Sequence, residues 1–173
     1  MKKNVSSRIP GFTLIEVLLY VSIAGILLTG ITTFFLITVQ ARTKYQTISE
    51  VENQGSQVVN LIAQTIRNGT ALTTPPANSS AASISITTAV ASTTPTIFDL
   101  SGGTVRITEG ANTAAPITSS RVIVSNLVFY NLTRTNAPSS IRFQFTLSSV
   151  NPANKNEYEF SQTFYGAASL RYK

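Results

Sequence analysis

An uncharged apolar run near the N-terminus constrains this chain more than any other feature of its sequence. Residues 17–39 contain no Asp, Glu, Lys or Arg, and one acid, Glu16, stands immediately before the run. As a helix, this run would rise about 35 Å, enough to cross the hydrocarbon core of a bilayer. A carboxylate in hydrocarbon costs roughly 2.5–3.5 kcal/mol at a helix centre and less near a helix end. The position of Glu16 is therefore unusual for an ordinary membrane anchor.

The composition argues against catalysis. The 173 residues include no Cys and no His, which excludes disulfides, thiol nucleophiles, imidazole bases and nearly all zinc sites. Beyond the first helix the acids are Asp99, Glu109, Glu157 and Glu159. These residues form no recognisable catalytic constellation. We therefore predict that the protein is not an enzyme and that it has no cofactor and no metal.

The charges are concentrated at the N-terminus. The formal net charge is +6, and residues 1–11 contain Lys2, Lys3 and Arg8 without any acid. The rest of the chain therefore carries +3, since 6 − 3 = 3. That balance does not predict a dedicated nucleic-acid interface. Under the positive-inside rule, the basic leader stays in the cytoplasm and the C-terminus lies outside.

The residues around Glu16 match a known pattern. The segment Gly11-Phe12-Thr13-Leu14-Ile15-Glu16-Val17, preceded by a short basic leader, resembles the processing site of bacterial type IV pilins and of the pseudopilins of type II secretion and competence systems. The resemblance covers roughly residues 2–40. It implies that prepilin peptidase removes residues 1–11 by cutting between Gly11 and Phe12. It also implies that the new Phe12 amine is methylated.

The resemblance gives Glu16 a role in assembly. Cleavage creates a positive amine on Phe12, one helical turn from Glu16. In a filament of staggered helices, Glu16 of one subunit can meet the Phe12 amine of the next. The attraction is large in a low dielectric, and a buried charge without a partner is strongly disfavoured. Such a pair sets the axial register between subunits, as buried polar groups do in coiled coils.

Small residues within the apolar run predict close helix packing. Gly25 and Thr29 have small-xxx-small spacing, and Gly30 follows them.

Two departures from the family favour a minor pilin or pseudopilin over a major pilin. Major pilins often carry a proline within this helix, but residues 12–74 contain none. Many members also carry a C-terminal disulfide, which this chain cannot form.

The resemblance also implies the partners and the location of the protein. The partners are other pilin or pseudopilin subunits, prepilin peptidase, an inner-membrane assembly platform and, before assembly, membrane lipid. No nucleic acid is required. The protein is then a single-pass protein of the inner, cytoplasmic membrane, with its N-terminus inside and its C-terminus outside. From there it enters an extracytoplasmic filament or reaches the cell surface.

Other readings remain open at this point. Ser22-Ile23-Ala24 has the small residues of a secretory signal cleavage site, although Glu16 interrupts the apolar core and apolar residues continue to Val39. The chain could also be a membrane-anchored exported domain that does not polymerise, or a ligand-binding tip subunit that recognises a surface, a sugar or DNA. The sequence does not select among secretion, competence, adhesion and motility.

After the apolar run the helical pattern continues on a polar background. The periodicity over residues 40–69 predicts that one helix runs from about Phe12 to about Arg67 and stops at Asn68-Gly69, with Gly69 as a left-handed cap. We expect the apolar stripe to pack on the protein's own sheet, and a seam for a partner helix is the alternative. The stripe consists of Ala41, Tyr45, Ile48, Val51, Val58, Ile62 and Ile66, with polar residues that include Lys44 on the other side.

The C-terminal part reads as β structure. Residues 70–95, rich in Ser, Thr, Ala and Pro, predict an exposed connection with one edge strand or short hairpin at 83–90. In residues 96–173 the pattern predicts strands at 97–100, 105–108, 121–133, 141–148 and 157–165, with a turn at Gly102-Gly103.

The predicted fold class is therefore α+β and pilin-like, a long N-terminal helix packed on an antiparallel sheet. Its inner half, residues 12–39, is the transmembrane and assembly segment. The predicted strand at 157–165 would place Glu157 and Glu159 on one face. Some pseudopilins bind calcium in this region, but a calcium site needs six or more oxygen ligands, and none is predicted here.

Overall fold

The computed structural model describes residues 11–135 and 137–171. Residues 1–10 of the basic leader lie outside the described residues, as do residues 136, 172 and 173. The chain divides into two compact units, one ending at Arg42 and the other beginning at Thr43. The first unit consists of residues before and within the N-terminal part of helix α1. The second unit contains the C-terminal part of α1 and all the strands.

One long helix is followed by nine strands and two short 3-10 turns in the described part of the chain. The helix is α1, Leu14–Asn68. The strands are β1 (Gly69–Thr74), β2 (Ser80–Ala81), β3 (Ile84–Thr88), β4 (Thr96–Ser101), β5 (Thr104–Glu109), β6 (Ala115–Pro116), β7 (Val122–Asn131), β8 (Ser140–Ser149) and β9 (Ser161–Ser169). The 3-10 turns are Ala91–Thr93 and Asn156–Tyr158.

The strands form two antiparallel sheets. One has the order β1-β3-β4-β5-β6 and the other has the order β2-β7-β8-β9. The predicted α+β, pilin-like class is confirmed, with two sheets instead of the single one expected. The turn at Gly102-Gly103 is also confirmed: both glycines have positive φ, 57° and 75°, as a two-residue hairpin turn with a type I′ backbone requires.

The side chains of β8 alternate as the sequence predicts. Ile141, Phe143, Phe145 and Leu147 are buried, while the residues between them are exposed or half-buried. The buried face joins apolar residues of both sheets and of α1 in one core. Burial of this apolar area is the main favourable contribution to folding of the second unit.

The apolar stripe of α1 enters this core only from Thr47 onward. Val51, Val58, Ile62 and Ile66 are at most 1% exposed, which confirms their predicted place against the sheets. The expectation for Tyr45 is wrong, since its side chain is 73% exposed. The turn of α1 that contains Tyr45 contacts the rest of the second unit through the polar side chain of Lys44 instead.

Lys44, which was expected on the solvent side, makes these polar contacts. Its Nζ atom donates hydrogen bonds to the carbonyl oxygens of Asn156, at 2.9 Å, and Glu159, at 2.5 Å. An ammonium group offers three donors, so it can satisfy two carbonyls of the 3-10 turn at once. The start of α1 in the second unit is thus held by hydrogen bonds, and the later turns combine apolar packing with hydrogen bonds between Gln54 and Ser119.

Helix α1 ends at Asn68 as predicted, but for a different reason. Gly69 does not have the positive φ of a left-handed cap and instead opens β1. A Cβ atom at position 69 would lie 2.5 Å from Cγ2 of Ile86 and 3.2 Å from the carbonyl oxygen of Ile66. Glycine is favoured there because a side chain would overlap the Ile86 side chain of β3.

The region from 70 to 95 contains more strand than the sequence predicts. β3 is not an edge strand, because it lies between β1 and β4, and Ile84 and Ile86 are fully buried. β1 supplies the edge, with two register shifts against β3. Its Gly-Thr-Ala-Leu-Thr-Thr sequence has one large apolar residue and so gives almost no alternating signal.

The last predicted strand is shifted. β9 begins at Ser161, and Glu157 lies in the 3-10 turn before it, so Glu157 and Glu159 do not share a strand face. The run of Asn, Glu and Tyr here favours a turn, while β9 continues through Ser169 as one strand opposite β8. Within the described residues no group of three or more His, Cys, Asp or Glu side chains is placed to hold a metal.

Candidate functional site

The predicted cleavage site lies just before the helix. Gly11, Phe12 and Thr13 are exposed and have no regular secondary structure, and α1 begins at Leu14. Phe12 is 73% exposed. A Cβ atom built on Gly11 meets no atom within 4 Å, so the fold itself does not require a glycine at this position. Both residues that flank the predicted cleavage site, Gly11 and Phe12, are therefore exposed.

Thr13 caps the helix. Its hydroxyl accepts a weak hydrogen bond of 3.4 Å from the backbone N–H of Glu16, and its carbonyl accepts one of 3.2 Å from the N–H of Val17. A helix begins with four N–H groups that lack the usual helical partner, and Thr13 supplies two acceptors for one of them, because the N–H of Glu16 also donates to the Thr13 carbonyl at 3.1 Å. Sequence analysis missed this residue, although Thr-x-x-Glu is the signature of a capping box.

Glu16 lies in the first turn of α1 and is half-buried. One carboxylate oxygen, Oε1, accepts a 3.1 Å hydrogen bond from the hydroxyl of Tyr20. A negative side chain in the first turn also interacts favourably with the positive end of the helix dipole. The Glu16 carboxylate is therefore stabilised by the hydrogen bond from Tyr20 and by the helix dipole.

Tyr20 connects the two predicted site residues. Besides its hydrogen bond to Glu16, its ring makes an edge-to-face contact with Phe12, with centroids 6.3 Å apart and an angle of 75° between planes. Sequence analysis did not single out Tyr20. The available signal was the four-residue spacing from Glu16, which places the two side chains on one face of a helix.

The structure thus brings Phe12, Thr13, Glu16 and Tyr20 together at the start of the helix. Gly25, Thr29 and Gly30 lie further along α1 and are not part of this cluster. Neither glycine has any atom within 4 Å of a Cβ built on it. They leave a shallow open groove on the helix surface, which is lined by Ser22, Gly25, Ile26, Thr29, Gly30, Thr33, Phe34 and Ile37.

Hydroxyl groups along this segment are satisfied within the helix. The Thr29 hydroxyl donates to the carbonyl of Gly25 at 2.8 Å, and the Thr33 hydroxyl donates to the carbonyl of Thr29 at 2.9 Å. Ser22, Thr32 and Thr38 make the same contact to the residue four positions earlier. Polar groups with internal partners are compatible with a lipid environment, where no water can replace those partners.

The first unit leaves its apolar side chains uncovered. Leu14, Ile26 and Phe34 are 81%, 74% and 73% exposed, and no described residue from 11 to 42 is buried. Within the described residues, α1 is long and apolar enough to cross a membrane, as judged by its length and composition. An apolar surface of this kind needs lipid or other helices to cover it.

One of the comparisons with known proteins finds a match. The family model described as the prokaryotic N-terminal methylation motif matches residues 7–32. This range includes Gly11, Phe12, Glu16, Tyr20 and the small residues up to Gly30. Neither a curated protein nor a solved structure matches the chain. The motif supports a processed subunit that is like a type IV pilin or pseudopilin, and the motif and the long apolar helix together fit a membrane-anchored protein. The chain therefore carries the N-terminal methylation motif that is the signature of type IV pilins and pseudopilins.

Proposed function

We propose that this protein is a minor pilin or pseudopilin, a structural subunit of a filament of the type IV pilus, type II secretion or competence type. The observation that carries the proposal is the methylation motif. Glu16 lies within this motif and is the one acid in residues 1–49. That carboxylate lies in the first helical turn, next to the residue that cleavage would make the N-terminus. In a plain membrane anchor this carboxylate would merely lie at the headgroup level, whereas in a pilin it has a partner in the neighbouring subunit.

Processing is the first step of the proposed pathway. Prepilin peptidase cuts between Gly11 and Phe12, and the new Phe12 amine is methylated. The exposed, non-helical backbone of Gly11, Phe12 and Thr13 supports this step, because a peptidase needs an accessible, extended chain. The open space around Gly11 supports it as well. Because packing does not require glycine at position 11, we attribute the small residue there to recognition by the peptidase.

Assembly is the second step. The Glu16 carboxylate of one subunit pairs with the Phe12 amine of its neighbour, which sets the axial register. The exposed apolar side chains of residues 14–42 are covered by lipid before assembly and by other subunits afterwards. The open groove at Gly25, Thr29 and Gly30 lets a neighbouring helix approach closely. An inner-membrane platform drives the transfer from the membrane to the filament outside.

The connection after α1 favours a structural subunit over a ligand-binding tip. Residues 70–95 include no aromatic and no basic residue. Aromatic and arginine side chains contribute most to typical binding surfaces, so this stretch lacks the side chains that a ligand-binding surface would need. We therefore propose that this chain is a structural subunit of the filament, with a tip subunit that acts in adhesion or DNA binding as the alternative.

Mass spectrometry of the N-terminus tests the processing step. We expect the membrane-bound and filament forms to begin at N-methylated Phe12. A chain that begins at Met1 or at Gly25 would rule out prepilin processing. The assembly step is tested by Glu16→Gln, which keeps the shape of the side chain and removes its charge.

We expect Glu16→Gln to be inserted and trimmed normally but to be absent from filaments. Glu52→Gln, an exposed acid on the same helix, is the matched control and should assemble as the wild type does. Normal incorporation of Glu16→Gln would contradict the register role. Absence of the wild-type protein from every filament fraction would favour a membrane-anchored domain that does not polymerise.

A further inference from the structure

We propose that Tyr20 is a positioning residue that holds the Glu16 carboxylate beside Phe12 in the unassembled subunit, ready for the amine of a neighbouring subunit. This inference rests on the proposed function for its consequence in assembly. The hydrogen bond itself can be tested without assembly. The partner that completes the site is a second pilin-type chain that offers a charged N-terminal amine.

The geometry gives Tyr20 two contacts with the site. Its hydroxyl donates to Oε1 of Glu16 at 3.1 Å, and its ring lies edge-to-face against Phe12 with centroids 6.3 Å apart. Among the described residues, Oε2 of Glu16 accepts no hydrogen bond. One carboxylate oxygen is therefore held while the other is left for an incoming donor. A carboxylate can accept at both oxygens, so the amine need not displace Tyr20.

The surroundings explain why such a donor is needed. The apolar residues close to Glu16 in sequence, Phe12, Leu14 and Ile15, have exposed side chains that offer no hydrogen-bond donor. A carboxylate that loses water without gaining a donor is strongly destabilised, and a hydroxyl–carboxylate hydrogen bond is a strong, charge-assisted one. Tyr20 thus compensates part of the cost of keeping Glu16 charged at the membrane boundary until a second subunit arrives.

The contact also limits where the carboxylate can point. A free glutamate side chain samples several rotamers, and ordering it on binding reduces the affinity of the contact. In the described structure the Tyr20 hydroxyl selects rotamers that bring Oε1 toward the next turn of the helix. Phe12 packs against the same tyrosine, so one side chain orients both halves of the site. Preorganisation of this kind predicts that loss of the hydroxyl alone weakens assembly.

A different role for Tyr20 makes a different prediction. Tyrosines are enriched at membrane boundaries, where the ring and the hydroxyl sit at the headgroup level. In that case loss of the hydroxyl would leave the reactivity of Glu16 unchanged. Tyr20→Phe separates the two roles, because it keeps the ring contact with Phe12 and removes only the donor. Tyr45→Phe, at a tyrosine of the same helix that is 73% exposed, is the matched control.

The first experiment measures the reactivity of Glu16 in the full-length chain, reconstituted in phosphatidylethanolamine–phosphatidylglycerol vesicles. The probe is dicyclohexylcarbodiimide, an apolar reagent that modifies carboxyl groups within membranes. Because Glu16 is the one acid in residues 1–49, peptide mapping identifies its adduct without ambiguity. We expect Tyr20→Phe to raise the labelling rate about threefold, since the hydroxyl no longer shields Oε1. Equal rates in Tyr20→Phe and the wild type would overturn the proposal.

The second experiment measures processing and filament incorporation in cells. We expect Tyr20→Phe to be trimmed at Gly11 as the wild type is and to enter filaments about tenfold less or lower, as loss of one hydrogen bond to a charged group implies. Tyr45→Phe should behave as the wild type in both assays. Faster labelling with unchanged incorporation would overturn the positioning role. Normal incorporation of Glu16→Gln would instead contradict the proposed assembly contact, while the labelling assay would still report on the Tyr20–Glu16 bond.

Discussion

The ring of Phe164 occupies the space in which a side chain at Gly55 would lie. Gly55 is buried in α1, and a Cβ atom built there overlaps the phenyl ring. Phe164 in turn stacks on Phe145, with ring centroids 5.5 Å apart and 19° between planes. The outer part of the helix can therefore approach β9 closely only because position 55 has no side chain.

Substitution of Gly55 tests this packing. Alanine improves helix propensity by about 1 kcal/mol, but overpacking a filled core costs about 1–3 kcal/mol. Because Phe145 backs the Phe164 ring, we expect Gly55→Ala to lower the free energy of unfolding by up to about 2 kcal/mol, and Gly55→Leu to lower it more. Near-UV circular dichroism of the tyrosines during thermal unfolding in detergent measures the effect. Gly30→Ala, which meets no atom within 4 Å, is the control and should not lower Tm.

For Gly25 and Gly30 in the apolar part of α1, substitution should leave the stability of the subunit unchanged and affect assembly instead. Since nothing lies within 4 Å of a Cβ at Gly25 or Gly30, Gly25→Leu and Gly30→Leu should leave insertion, trimming and the fold of the subunit intact. If a neighbouring helix packs into this groove, both variants should enter filaments poorly. Immunoblots of sheared filaments against membrane fractions measure the ratio. Ile26→Leu conserves side-chain volume in the same groove and serves as the control. Wild-type levels of both leucine variants in filaments would exclude close packing at this groove.

Removal of the helix cap should loosen the start of α1. Thr13→Ala deletes the hydroxyl that accepts from the N–H of Glu16, and loss of an N-cap costs about 1 kcal/mol. We expect faster amide hydrogen exchange at residues 14–17 and a weaker hold on the Glu16 side chain. Thr13→Ser keeps the hydroxyl and should exchange as the wild type does. Equal protection in the alanine and serine variants would show that this hydroxyl does not cap the helix.

Asn131 should matter for stability although it is polar and far along the chain from its main partner. It is 4% exposed, its Nδ2 donates to the carbonyl of Pro75 at 2.7 Å, and its Oδ1 accepts from the N–H of Thr133 at 3.0 Å. Asn131→Ala leaves both groups without their partner in a buried site. We expect a loss of about 1–3 kcal/mol in the free energy of unfolding. Asn112→Ala, at an exposed asparagine, should change this value little; a similar loss in both variants would contradict the assignment.

Local patterns predicted the structure well where the physics is local. The alternation from Ile141 to Leu147 follows from the two-residue period of a strand, and β8 has that face buried. The helix and its end near Asn68 follow from the 3.6-residue period and an uninterrupted run. The motif around Glu16 is linear, so a single stretch of sequence contains it. Tyr20, four residues later, lay within reach of the same reasoning.

Pairing between distant strands could not be predicted in this way. Ser80–Ala81 belongs to the sheet of β7, while the strands on either side of it, β1 and β3, belong to the other sheet. No local pattern carries that information, because Ser, Thr and Ala fit a loop or an edge strand equally well. The reason for glycine at positions 55 and 69 is likewise a contact with residues distant in sequence, Phe164 and Ile86.

The sequence by itself determined that this chain carries the methylation motif, has one apolar helix able to cross a membrane, and ends in β structure, since composition and short periods encode each of these. The tertiary structure alone decided that the strands form two sheets and that Lys44 binds the carbonyls of residues 156 and 159. These depend on which backbones and side chains meet in space, and such contacts are set by the packing of the whole chain and not by any one segment.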